Sequence, residues 1–233
     1  MTRVRGLLAA LILAAGAAAS AQFIPGMKMP SLWYNPFIVM DPGVQQELKI
    51  SKPVADKIQA KITEGSMKLL PAMGEMMKAA MSGKTPSPEE TEKAMPAITK
   101  VFAQLQADCI ANLNPAQRER LHELTLQAFG PKSLLDAKIG KSVGLTGAQA
   151  QRLQSELQTV SVSQMGGAKK MLQSSGSNAA GARATAQSTM SKSRQAANAI
   201  LDKVLTPKQR AKWRALQGKP FTFSPMASMM SGG

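Results

Sequence analysis

The sequence predicts an all-α protein in which one helical module is used twice. A short pattern occurs four times: Ile50-Ser-Lys-Pro-Val54, Leu113-Asn-Pro-Ala-Gln117, Leu145-Thr-Gly-Ala-Gln149 and Leu205-Thr-Pro-Lys-Gln209. The first and third begin 95 residues apart and the second and fourth 92 apart, so a unit of about ninety residues recurs. From Ile50 onward apolar residues return at helical spacing, and no stretch sustains the two-residue alternation of a strand.

The elements follow in chain order. Residues 1–21 have the parts of a secretory signal: Arg3 and Arg5, an apolar run from Leu7 to Ala19, and a small-residue cleavage site at Ala19-Ser20-Ala21. The run is shorter than the roughly 20 residues that span a bilayer. The chain from Gln22 is therefore expected in the periplasm or outside the cell, after cleavage near Ala21. Residues 22–43 read as an extended arm punctuated by proline. It carries Phe23, Trp33, Tyr34 and Phe37 and is expected to pack across the helical body.

The first helical module is assigned to 44–138. Ile58, Ile62, Leu69, Met73, Met76 and Ala80 form one stripe, with Pro71 expected to kink the helix. A turn at 82–88 leads to a second helix capped by Ser87, with Ile98, Phe102, Leu105, Cys109 and Leu113 on its apolar face. A third starts at Pro115 and runs to about Ala128, before Gly130-Pro131. The second module, 139–221, repeats the plan with Leu153 and Leu157 opposite Ile58 and Ile62. Beyond Val160 it turns to Ser, Gly, Gln and Ala. Gly166 and Gly167 each cost a helix about 1 kcal/mol relative to Ala, so a mobile outer end is expected there. Regular structure resumes near Gln195, and 222–233 read as a disordered tail. The two modules are expected to pack on each other.

Locally the repeated pattern is a helix start. Asn114, Thr146 or Thr206 is the N-cap and Gln117, Gln149 or Gln209 the third helical residue, which makes a capping box worth on the order of 1 kcal/mol. The apolar residue ahead of each cap, Leu113, Leu145 or Leu205, pins the start to the core. A pattern of Leu-Thr-x-x-Gln heading helices of an exported, basic, all-helical protein resembles the Spy/CpxP family of periplasmic proteins. The resemblance covers roughly 44–218. Residues 145–149 and 205–209 match fully, 113–117 has Asn for Thr, and 50–54 lacks the Gln. It implies a chaperone-like protein that holds clients during envelope stress, and one chain with the motif count of a family dimer. A monomeric pseudo-dimer or a homodimer would follow. A related branch of the family binds metals.

Charge separates the two copies. Residues 22–140 hold 14 basic and 12 acidic side chains, whereas 141–233 hold 13 basic and only Glu156 and Asp202 as acids. A basic field of this kind steers anionic partners. Unfolded or acidic protein clients and an anionic envelope surface are the expected ones, and export disfavours nucleic acid.

The chemical inventory is poor. The single Cys excludes an internal disulfide, and Cys109 reads as a core residue. His122, the one histidine, falls opposite Arg214 and reads as a surface residue. No nucleophile–base set or phosphate loop can be assembled, so no enzyme and no cofactor are expected. Methionine is abundant. Met73, Met76, Met77 and Met81 offer either an adaptable client surface or thioethers for monovalent copper or silver. The client-binding candidates are these four with Lys169, Lys170, Arg210 and Arg214. The alternative functions are soft-metal binding or sensing, and a structural or adaptor role at the envelope.

Overall fold

Proline opens most of the helices, because its fixed φ suits a first turn whose N–H has no partner to lose. The computed structural model describes residues 31–81, 88–174, 195–196 and 198–224. Within its helices the side chains of 72–73, 75–81, 88, 90–91 and 161–174 lie outside the description. The helices are α1 (Pro42–Glu47), α2 (Lys52–Met81), α3 (Pro88–Ala111), α4 (Pro115–Phe129), α5 (Ala137–Val143), α6 (Gly147–Ser174) and α7 (Pro207–Leu216). Two 3-10 turns, Pro36–Met40 and Gly130–Leu135, precede α1 and α5, and 198–204 are helical. Among the described residues there is no strand, so the all-α expectation holds. The segments at 1–21 and 225–233 lie outside the described residues.

The chain divides into two compact units, one holding the described residues up to Thr125 with 222–224, the other Leu126–Phe221. In the first, α2 and α3 form a hairpin. Ala55, Ile58, Ile62 and Leu69 line one side of its core, and Ala94, Met95, Ile98, Leu105 and Cys109 the other. The helices meet closely at Gly65, where an added Cβ would lie 2.7 Å from a Leu105 methyl. Cys109 is buried in this core as expected, and burial pushes its thiol up to about 12. The helix α2 runs on through Pro71, and α6 through Gly166 and Gly167. Two glycines weaken a helix by about 2 kcal/mol in total, which does not end one that has no competing stop signal.

The second half of the N-terminal arm is more regular than its proline and aromatic content suggests. Asn35 caps the 3-10 turn by accepting from Phe37 N–H, and Asp41 caps α1 by accepting from Gly43 N–H at 2.7 Å. Phe37 is buried against Phe102, with ring centroids 5.4 Å apart. The preceding residues lie against α4. Trp33 stacks on His122 at 3.9 Å, and His122 Nδ1 sits 2.8 Å from the Trp33 carbonyl. A carbonyl only accepts, so Nδ1 carries the proton. Gln106 Nε2 donates to the carbonyls of Ser31 and Tyr34, and Asn35 N–H donates to Thr125 Oγ1. His122 is therefore buried, not a surface residue. Comparison with Arg214 misleads because the counterpart of Trp33 in the second copy is Ala128.

The second unit gathers Leu126, Leu134, Ile139, Val143, Leu153, Leu157, Ile200, Leu201, Val204, Leu205 and Trp213 into its own core. Gln127 holds its last residues. Its amide donates to the carbonyls of Gln217 and Lys219 and accepts from Phe221 N–H. In the first unit Ser224 N–H donates to Asp41 Oδ2, so 222–224 are held in place ahead of the tail's remainder.

The two units repeat one another bond by bond. Asp41 N–H donates to Ile38 O and Asp136 N–H to Ser133 O; Ile50 N–H donates to Gln45 O and Leu145 N–H to Gly140 O. The repeat thus reaches back to Pro36 and Pro131, ahead of the motif itself. One position is out of balance. The helix-ending residue in left-handed conformation is Gly144 in one copy (φ 79°) and Lys49 in the other (φ 51°). A side chain there costs about 1–2 kcal/mol, partly offset by glycine's greater chain entropy. Lys49→Gly should accordingly raise stability by about 0.5–1 kcal/mol, read as a higher urea midpoint at unchanged slope.

Candidate functional site

The four motifs come together in two pairs, one inside each unit. Each glutamine first closes its own helix start. Gln117 accepts from Asn114 N–H and donates its backbone N–H to Asn114 Oδ1, both at 2.9 Å. Gln149 does the same with Thr146, and Gln209 with Thr206. These boxes are the ones the spacing predicts.

The other end of each amide does something the sequence reading did not anticipate. Gln209 Nε2 donates at 2.6 Å to the carbonyl of Gly144, the residue just before the partner motif. Gln149 Nε2 donates at 2.8 Å to Val204 O, again just before its partner. The two amides also bond each other, Gln149 Nε2 to Gln209 Oε1 at 2.8 Å and Gln209 Nε2 to Gln149 Oε1 at 3.0 Å. In the first unit Gln117 Nε2 reaches Leu48 O at 2.9 Å and Lys49 O at 3.3 Å. Val54 stands where the return bond would start, so this clasp is one-sided. The motif is thus a cross-brace as well as a cap. It explains why the residue is Gln where a capping box accepts Gln or Glu: only the amide carries a donor for the far carbonyl. The available signal was Gln, never Glu, at all three motif positions that are not Val. Leu113 and Leu205 are buried beside their caps, and Leu145 is half-buried.

The client candidates are not brought together by any described contact. Met73, Met76, Met77 and Met81 lie on α2, and Lys169 and Lys170 on α6, but their side chains are outside the description. Arg210 is engaged, its Nη1 2.7 Å from Asp202 Oδ1, and Arg214 is exposed on α7. Among the described residues, the large apolar side chains left in solvent are Met67, 60% exposed, and Leu70, 39% exposed, both on α2. Both were missed, because they lie off the apolar stripe and single apolar residues on a polar helix face carry no periodic signal. Leu70 shares its side of the helix with positions 77 and 81, seven and eleven residues on. Beside this patch Lys68 and Lys61 pair with Glu64 at 2.8 and 3.3 Å and hold its carboxyl below the usual range.

Among the described residues no three His, Cys, Asp or Glu side chains are grouped to hold a metal ion. No described helix is long and apolar enough to cross a membrane. Comparisons with protein-family models, with curated proteins and with solved structures return no match for this chain.

Proposed function

We propose that the chain is an exported, chaperone-like protein that holds unfolded or acidic clients on the outer side of α2. The observation that carries this is the pair Met67 and Leu70, large flexible apolar side chains left in water on a helix whose inner face is already packed. Burying such surface against an unfolded chain is favourable, at roughly 25 cal/mol per Å². A thioether adapts to varied partners where a rigid ring would not. The short ionic rim of Lys61, Glu64 and Lys68 keeps the patch soluble without covering it. The resemblance to the Spy/CpxP family, resting on the Leu-x-x-x-Gln motifs, supports the same reading.

The test is suppression of aggregation of reduced α-lactalbumin, an acidic client that precipitates without its disulfides. The present chain has one buried thiol, so reductant leaves it intact. Light scattering should fall at near-stoichiometric addition. The double variant Met67→Ser, Leu70→Ser should lose most of this effect while its thermal melt stays within about 1 kcal/mol, since both residues are exposed. Equal scattering with and without the parent chain would remove the proposal.

A further inference from the structure

We propose that the outer side of α5 and α7 in the second unit is a docking surface for an anionic lipid bilayer. One face of the repeated unit carries opposite charge in its two copies. In the first unit this face belongs to α1 and the start of α4, and its cation is neutralised. Arg120 Nε donates to Glu47 at 2.9 Å and Nη1 to Glu123 at 2.5 Å, with Glu119 next to it in sequence. Moving each position by its repeat distance gives the second unit's version. Arg120 becomes Lys212, while Glu47, Glu119 and Glu123 become Ser142, Ala211 and Ala215. Gln46 and Ala116, together with His122, which in the first unit lies under Trp33, become Lys141, Lys208 and Arg214. All three acids have gone and three cations have been added.

The resulting cations are solvent-facing. Lys141, Lys208, Lys212 and Arg214 are exposed, on two helices in contact with each other. Among the described residues none of the four lies in an ion pair, and the pair found on α7 is Arg210 with Asp202. Asp136 remains, engaged in capping α5 through the N–H groups of Lys138 and Ile139. From Lys203 to Lys219 inclusive there are six basic residues and no acid.

The occupant follows from what the face lacks. Trp213 is buried, so no aromatic platform is offered for stacking nucleic-acid bases. The exposed large apolar side chains of the described residues, Met67 and Leu70, lie on α2 in the first unit, so an unfolded polypeptide finds no apolar anchor here. A layer of lipid phosphates needs neither. It asks only for several cations on one exposed surface, each of which strengthens binding to an anionic leaflet by about fivefold.

The experiment is co-sedimentation of the chain beginning at Gln22, which removes an apolar run that could itself enter lipid. This is the form expected after cleavage near Ala21, and its helical circular dichroism should match that of the full chain. Vesicles of phosphatidylglycerol with phosphatidylcholine should bind the chain at low salt and release it as salt is raised. Pure phosphatidylcholine should not bind it. The triple variant Ser142→Glu, Ala211→Glu, Ala215→Glu restores the first unit's acids at three exposed positions and should bind about a hundredfold more weakly. If that variant misfolds by circular dichroism, Lys141→Gln, Lys208→Gln, Lys212→Gln serves in its place with the same expected loss. Equal binding to neutral vesicles, unchanged binding by the folded variants, or capture of polyglutamate with no capture of anionic vesicles would each overturn the proposal.

Discussion

Gln209→Glu is expected to lower the stability of the second unit by about 2–3 kcal/mol at neutral pH. Judged as a local cap the change looks harmless or helpful, since Glu serves a capping box as well as Gln and its charge suits a helix N-terminus. The clasp reverses the sign. Glu offers no donor to Gly144 O, which now receives one at 2.6 Å, and sets a negative oxygen against that carbonyl and against Gln149 Oε1. A urea melt compared with the parent chain measures the loss. Protonation restores a donor, so the gap between variant and parent should narrow as pH falls through the raised folded pKa and level off below the unfolded value of about 4.3. The sign is that of a carboxyl whose folded pKa is raised by repulsion: folding favours its protonated form. A variant as stable as the parent at pH 7 would reduce the motif to a helix cap.

Gly65→Val should cost about 2–3 kcal/mol, through overpacking. Its Cβ alone would sit 2.7 Å from one Leu105 methyl and 2.9 Å from the other, in a hairpin core where the neighbouring Ser66 and Leu69 are also buried. Two methyls added beyond that Cβ must push α2 and α3 apart or drive Leu105 off its rotamer. Gly74, on the same helix and with nothing among the described residues within 4 Å of its would-be Cβ, is the control. There Ala should gain about 1 kcal/mol from helix propensity. A thermal melt of both variants separates close approach from backbone flexibility; destabilisation by both, or by neither, would refute the packing account.

The helices and their starts were legible because their signals are local. Pro115 and Pro207 with a cap before them and Gln three residues after it specify a first turn from a handful of neighbours. The clasp was not, because Gln149 and Val204 are 55 residues apart and nothing in either segment alone names the other. His122 shows the same limit in reverse: Arg118, Glu119, Glu123 and Thr125 around it on α4 are polar, and the aromatic that buries it lies 89 residues earlier. The 3-10 turn at Pro36–Met40 and α1 were hidden by their shortness, since an element of five or six residues displays no period. Yet Asn35 and Asp41 stand as caps, and aligning Asp41 with Asp136 would have extended the repeat to include them. The exposed pair on α2 lay in a segment whose buried stripe dominated the pattern, and the charge contrast between the halves was visible without any coordinates.

The placement of both braced glutamine partners on one polypeptide has a consequence for behaviour in solution. Each clasp closes within a single molecule, so mass action does not weaken it. Closure of either clasp is then independent of how much protein is present. On dilution such a chain would keep both clasps closed, where a clasp joined from separate subunits would open.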